Sequence, residues 1–461
     1  MKKPRLMLRI TVCFAIITSV APSMAEEGED ELVGLVVGLL GDQDKDVRAL
    51  GLEQVRTAAK GPAATRQFAA QLPKLPPEAQ VGLLSALADR GDTAARPAVL
   101  DVLSISPDEP VRVAAIAALG LLGGPDDTHQ LVTLLSESSP PVKAAAGKSL
   151  VNLRGQSVAV TIAAEMKKAA PPLRVALIEV LATRRALDTI PDILSAAVDD
   201  NPAVRAAAMT ALGQLAGAEH VPGMVQGVVK AERGRERESA EKCVLRVCGR
   251  IEDADKRAEP LLAAMDKLEQ ADRNTMLSTV GRVGGPAALK IVEAAIADDD
   301  PKLHENGLRA LCNWPNASVA ARLIELAATD EHSSHRTMAL RSLIRVAPLR
   351  DDRTDAARLQ LLNKAMAMCT RDAERKLVLD RARAIRTLDS LNFILPYVDQ
   401  PTYAEQACLS IVELAHHRGL REPHKAEFHQ ALDKVIQASK DATVIDRANR
   451  YKKDQTWVRP K

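Results

Sequence analysis

The chain has 461 residues, 46% of them apolar but only 2% aromatic, and its formal charge is +2. That apolar share excludes a disordered chain. So few rings leave neither a sugar platform nor a single-stranded nucleic-acid surface, and the charge gives no general pull towards nucleic acid or anionic lipid.

The first predicted element is a secretory leader over residues 1–25. Lys2, Lys3, Arg5 and Arg9 form a basic start, Ile10 to Val20 an apolar run, and Ala21 to Ala25 a small-residue region with cleavage expected after Ala25. The run is shorter than the roughly 20 residues that cross a bilayer, and no later segment is long and apolar enough to cross one. Cys13 lies within the run and not at a lipobox. The Lys-rich start looks bacterial, so the expected location is periplasmic or secreted. Losing the leader takes the formal charge from +2 to −2.

From residue 26 the chain repeats itself. The segment "PVRVAAIAALGLLGG" at 110–124 has relatives at 46–55, 141–150, 172–181 and 203–212, with weaker copies at 272–281, 303–311 and 335–343. With the first apolar position set as zero, the register falls at Val47, Ala79, Val111, Val142, Leu173 and Val204, in steps of 32, 32, 31, 31 and 31. It drifts onward through Arg237, Asp272, Leu303 and His335, then Arg371 and Ala404. A constant step of this kind predicts a repeat array and not a string of unrelated domains.

Each copy reads as a helix. Apolar residues stand at positions zero, five and eight and small ones at four and seven, which is one side of an α-helix. Asp44, Asp108, Asn201 and Asp300 are expected N-caps, prolines such as Pro110 and Pro202 follow, and Gly120, Gly123, Gly213 and Gly217 are expected ends. A second apolar-periodic stretch lies between copies, for example Asp126 to Leu135 and Thr189 to Val198. The unit is therefore helix, turn, helix, and stacking must complete the core that one pair cannot close.

The predicted organisation is a solenoid over 26–420, most regular at 41–217 and irregular at 230–257 and 347–388, then a capping helix and polar tail over 421–461. In 230–257, Arg237 and Glu241 hold positions that are apolar elsewhere, which predicts either a solvated irregular repeat or a bend with a binding patch. Arg371, Arg375, Lys376, Arg381, Arg383 and Arg386 make 371–386 locally basic. Tyr451 and Trp457 in the tail either dock back on the last repeat or contact a partner.

The pattern "D-x-x-V-R-x-x-A-x-x-A-L-G" resembles HEAT repeats, especially the short bacterial kind of phycobilin-lyase-like proteins, over about residues 32–415. The resemblance implies an all-α, armadillo-like, right-handed α-solenoid of about 12 helix pairs. It also implies a non-catalytic scaffold that binds protein partners through a concave helical face; the alternative is an enzyme or enzyme accessory subunit of the lyase-like type in the cell envelope. The basic column at position one is Arg48, Arg112, Lys143, Arg174, Arg205, Arg273 and Arg336, interrupted by Gln80, Glu238 and His304. In HEAT repeats the matching arginine ties adjacent repeats to an aspartate of the turn, which implies Asp44, Asp108, Asp200 and Asp300 as partners; the other reading is an exposed basic stripe. Positions two and six give candidate partner contacts, among them Glu179, Thr210, Asn274, Glu305, Arg309 and Arg341.

Catalytic motifs fail one by one. There is no P-loop, no nucleophile elbow and no "HExxH". His304-Glu305 resembles the His-Glu pairs with which HEAT-type hydroxylases hold two irons, but a lone pair falls short of that ligand count. His416, His417, His424 and His429 read as surface histidines, and the five cysteines after Cys13 as small core residues. No cofactor, metal, nucleic acid or small-molecule ligand is therefore predicted, and no catalytic residue is named.

Overall fold

The computed structural model describes residues 22–137 and 139–458; the leader, up to residue 21, lies outside them. Among the described residues the chain is helical and carries no strand. Two compact units divide it, one of residues 1–216 with 230–243, the other of 217–229 with 244–461.

In the first unit the helices alternate as first and second members of pairs. They are α1 (Pro22–Leu40), α2 (Lys45–Thr57), α3 (Pro62–Ala69), α4 (Pro77–Arg90), α5 (Arg96–Ile105), α6 (Glu109–Leu122), α7 (Thr128–Glu137), α8 (Pro140–Asn152), α9 (Val158–Lys168), α10 (Pro171–Thr183), α11 (Ile190–Ala196) and α12 (Pro202–Leu215). Then come α13 (Val221–Lys230) and α14 (Arg235–Cys248). The second unit continues with α15 (Glu259–Met265), α16 (Gln270–Val283), α17 (Pro286–Ile296), α18 (Pro301–Cys312), α19 (Ala320–Thr329), α20 (Ser333–Val346), α21 (Asp355–Met368), α22 (Asp372–Ala382), α23 (Leu388–Ile394), α24 (Ala404–His416), α25 (Lys425–Ala438) and α26 (Ala442–Lys452). Even-numbered helices carry the repeat motif. Each unit is an α-solenoid of stacked helix pairs, about 12 pairs in all.

The helix starts follow from their caps. Asp44, Asp108, Asn201 and Asp300 each accept a backbone N–H of the first turn, and proline fills the first helical positions of α6, α12 and α18. The expected glycine ends divide. Gly123 closes α6, but Gly120 and Gly213 lie inside α6 and α12, buried.

Those glycines set how closely helices approach. A Cβ at Gly51, position four, would lie 3.0 Å from the Leu39 Cβ of its own pair. A Cβ at Gly120, position nine, would meet Ser149 Cα of the next repeat at 2.7 Å, and one at Gly281 would meet Ala310 Cα at 2.7 Å. Ser149 fills the close contact usefully, donating its hydroxyl to the Ile116 carbonyl at 2.8 Å. Positions zero, five and eight then close the core: Val111, Ile116 and Leu119 are fully buried. Each such side chain contributes roughly 1.5–3 kcal/mol by leaving water.

Two departures come from register. In α14, Arg237 donates to the Ala231 carbonyl six residues back, as Arg48 does to Asp42, Arg205 to Asp199 and Arg336 to Asp330. Position zero is therefore Glu236, and Arg237 belongs to the basic column in place of Glu238. Likewise Arg375 donates to the Cys369 carbonyl, which sets position zero of α22 at Glu374 and not at Arg371. The step into α22 is long because an inserted loop precedes α21, whose helix already starts at Asp355.

The tail is less polar than expected. It folds into α26 as far as Lys452, with Tyr451 buried and accepting or donating a 2.8 Å bond with His416 Nδ1. Arg447 lies 4.7 Å over the Trp457 ring, so the aromatics dock back. The cysteines at 243, 248, 312, 369 and 408 are all buried. Burial pushes the thiols of Cys248, Cys312, Cys369 and Cys408 up to about 11, which marks them as packing groups and not nucleophiles. No described helix is long and apolar enough to cross a membrane.

Candidate functional site

The helical ladder leaves three places where chemistry gathers: the basic columns between repeats, the uncovered face of the second helices, and a histidine cluster in the second unit.

The position-one column seals turns. A second helix begins just after the first one ends, so the last carbonyls of the first helix lack partners. Arg48 donates to the carbonyls of Asp42 and Gln43, Arg273 to Leu268 and Asp266, and Arg336 to Asp330 and Glu331. Gln80 does the same to Leu75 at 3.0 Å and His304 to Ile296 at 2.6 Å, so the interrupting residues keep the role. Arg174 and Arg205 go further and cross to the next repeat, Arg174 to Asp199 and Arg205 to Glu236. Arg112 and Lys143 form no such side-chain bond among the described residues.

The expected aspartate partners do other work. Asp44, Asp108 and Asp300 are N-caps, held by their own backbone, and Asp200 is fully exposed beside Lys230 at 3.1 Å. The carboxylates that do bind arginines of this column are those of Asp199 and Glu236. Glu236 is drawn below the usual carboxylate range by the Arg205 hydrogen bond, against the cost of burial.

A second arginine column escaped the sequence reading. Arg90, Arg184 and Arg345 close the last turns of α4, α10 and α20 and reach back a full repeat. Arg90 donates to Val55, Ala58 and Ala59, Arg184 to Leu150, Val151 and Leu153, and Arg345 to Cys312 and Trp314. Each satisfies the orphan carbonyls ending the previous second helix. Burial lowers the pKa of all three guanidiniums. For Arg90 and Arg184 the legible signal was charge at position eleven, which is leucine in Leu122, Leu153 and Leu215; Arg345 stands one position earlier, at ten.

Polar residues at position zero explain the irregular repeats. Four are taken by a polar group on the preceding second helix: Glu236 by Arg205, His335 by Glu305 at 2.9 Å, Glu374 by Arg341 at 2.9 Å, and Tyr403, the buried residue that holds position zero in place of Ala404, by Arg375 at 3.1 Å. Glu305 and Arg341, expected as partner contacts, are thus inter-repeat rungs, and Arg309 braces Glu305 at 2.7 Å. Burial opposes ionisation of Glu305, but Arg309 and His335 outweigh it and hold its carboxyl below the usual range. The basic segment is similarly engaged: Arg371 with Glu374, and Arg383 with Asp380 at 2.8 Å.

The uncovered face remains clearest in the first unit. Ala117, Glu179, Ala206 and Thr210 are exposed, with Val113 and Val175 half-buried beside them. In the second unit Asn274 is half-buried and accepts from Gln270 at 2.9 Å. A cleft of about 490 Å³ in that unit is walled by Trp314, Leu289, Cys248, Arg257 and Arg282. Trp314 itself is buried and donates to Ser318 Oγ at 3.0 Å, so the ring is structural.

The residues that could hold a metal are His304, Asp330 and His335, which offer one donor atom each, all within 4.8 Å of one another. In the sequence His304 stands out only with its neighbour Glu305. The missed signal was the separation of 31 between His304 and His335, one repeat step, which puts them on facing turns of adjacent second helices.

Residues 65–151 and 159–245 match the family described as HEAT repeats. None of the curated proteins matches the chain. Among solved structures it is similar to Kap95p, in the structure describing how its binding induces the switch loops of RanGDP to adopt the GTP-bound conformation, at 13% identity and a TM-score of 0.44. That match covers 96% of this chain and 66% of the other, just under two thirds. It is similar to importin beta in an ammonium sulfate condition at 11% identity and a TM-score of 0.38, covering 91% and 72%. It is also similar to human deoxyhypusine hydroxylase in complex with glycerol at 20% identity and a TM-score of 0.26, covering 64% and 99%. Residues 65–151 and 159–245 are HEAT repeats, and helix pairs of the same kind continue on either side of them.

Proposed function

We propose that this protein is an exported, non-catalytic HEAT-repeat scaffold that holds a protein partner against the uncovered face of its second helices. The observation that carries the reading is the spacing of that face. Positions two and six of α6, α10 and α12 leave Ala117, Glu179, Ala206 and Thr210 exposed, with Val113 and Val175 half-buried beside them, while positions five and eight are consumed by the core. A surface of small residues with isolated polar groups suits close approach of another chain's side chains. The export half rests on the basic start at Lys2, Lys3, Arg5 and Arg9 and the apolar run that follows. The repeats themselves supply positioning and not a reaction centre.

Site-specific photo-crosslinking in the cell envelope tests this. A crosslinker at Thr210 or Glu179 is expected to capture the same discrete protein, whereas one at the exposed Val160 of α9, a first helix, captures none. Equal capture from all three positions, or capture only from Val160, would contradict the assignment.

A further inference from the structure

We propose that His304, Asp330 and His335 bind one divalent metal ion of the zinc class, which staples α18 to the turn and helix of the next repeat. Nothing in the scaffold reading requires such a site.

Where Arg205 faces Glu236 and Arg375 faces Tyr403, a cation meets an acceptor. At the corresponding rung His304 faces His335, with ring centroids 5.7 Å apart and the Asp330 carboxylate beside them. Each imidazole is already oriented through its other nitrogen. His304 Nδ1 lies 2.6 Å from the Ile296 carbonyl, an acceptor only, so Nδ1 carries the hydrogen and Nε2 keeps its lone pair. His335 Nε2 lies 2.9 Å from Glu305, which fixes the hydrogen there and leaves Nδ1 open, 3.2 Å from Asp330 Oδ1. Each imidazole therefore keeps one nitrogen able to ligate, beside the Asp330 carboxylate. A carbonyl or carboxylate behind each imidazole is the usual arrangement that orients metal-binding histidines.

Geometry and donor type choose the ion. A tetrahedral site with bonds of about 2.0–2.1 Å has ligand edges of roughly 3.3 Å. The His335–Asp330 edge of 3.2 Å already has that length, and the three donor atoms all lie within 4.8 Å of one another. His332 is exposed with Nδ1 3.7 Å from the same Asp330 oxygen but stands outside the group of three, which leaves the fourth position to solvent. Two imidazoles with one carboxylate suit zinc, cobalt or nickel and not the all-oxygen preference of calcium or magnesium.

The full, tag-free chain, stripped with a chelator, is titrated with zinc sulfate by calorimetry near neutral pH and with cobalt chloride by visible absorption. The expected result is saturable uptake of about one ion per chain and a cobalt spectrum of imidazole type. His304→Gln keeps the turn bond, as Gln80 does, so it folds and isolates the ligand role; its zinc affinity is expected to fall at least tenfold. Glu305→Gln, which touches no metal, is expected to lose roughly 10- to 100-fold. His424→Gln and His429→Gln leave uptake unchanged. Absence of saturable zinc uptake, which would mean that a protonated His335 bridges Asp330 and Glu305 instead, overturns the proposal; so does uptake that survives both His304→Gln and His335→Gln.

Discussion

Replacing Gly281 by valine is expected to destabilise the second unit by about 3 kcal/mol or more. Helix propensity alone predicts the opposite sign, since glycine inside a helix costs about 1 kcal/mol relative to alanine. Packing wins because the new Cβ would sit 2.7 Å from Ala310 Cα and press on the Ala310 carbonyl, backbone that cannot step aside. Overpacking a dense core costs typically 1–3 kcal/mol, and a backbone obstacle lies at the top of that range. Gly38→Ala is the matched control, because a Cβ there meets nothing within 4 Å; it is expected to be neutral or slightly stabilising. Urea midpoints of the full chain check both.

Removing Arg205 is the second large effect. Its side chain is 5% exposed, donates to both oxygens of Glu236 at 2.7 and 3.0 Å, and also serves the carbonyls of Asp199 and Asp200 at 2.9 Å. Taking one partner from a buried pair costs about 3–5 kcal/mol. Glu236 keeps some solvent, so Arg205→Ala is expected near 3 kcal/mol. Arg112→Ala, in the same column but without such a bond, is expected within about 0.5 kcal/mol of wild type. The pH dependence has a defined sign. Glu236 is held below its unfolded value, chiefly by the Arg205 hydrogen bond, so its contribution is present above the carboxylate range and is lost as pH falls through the folded value. The gap between wild type and Arg205→Ala should therefore narrow from neutral pH towards about pH 3. A constant gap would show that the carboxylate is not its source.

The fold was legible because one periodicity controls both local structure and packing. Val111, Ile116 and Leu119 declare a helix face and the next repeat's contact at once, and the 31-residue step carries this forward. Legibility failed where a polar residue replaced that face. Glu236 and Glu374 hide the register because their burial depends on Arg205 and Arg341, about one repeat away. The arginine column was visible as a column, but the direction of each guanidinium was not; only folded geometry separates a turn carbonyl from a neighbouring carboxylate. Gly120 and Gly213 read equally well as helix ends or as packing notches, since both uses need the missing Cβ. His335 was passed over because its partners, His304, Glu305 and Asp330, stand in different elements.

If each helix pair completes the next one's core, damage at one rung must spread along the array and fade. Native-state hydrogen exchange of the full chain, wild type against Gly281→Val, measures this directly. Loss of protection is expected to be greatest in α16 and α18 and to decline through α20, α22 and α24. A uniform loss across the whole second unit, or a loss confined to α16 alone, would contradict it.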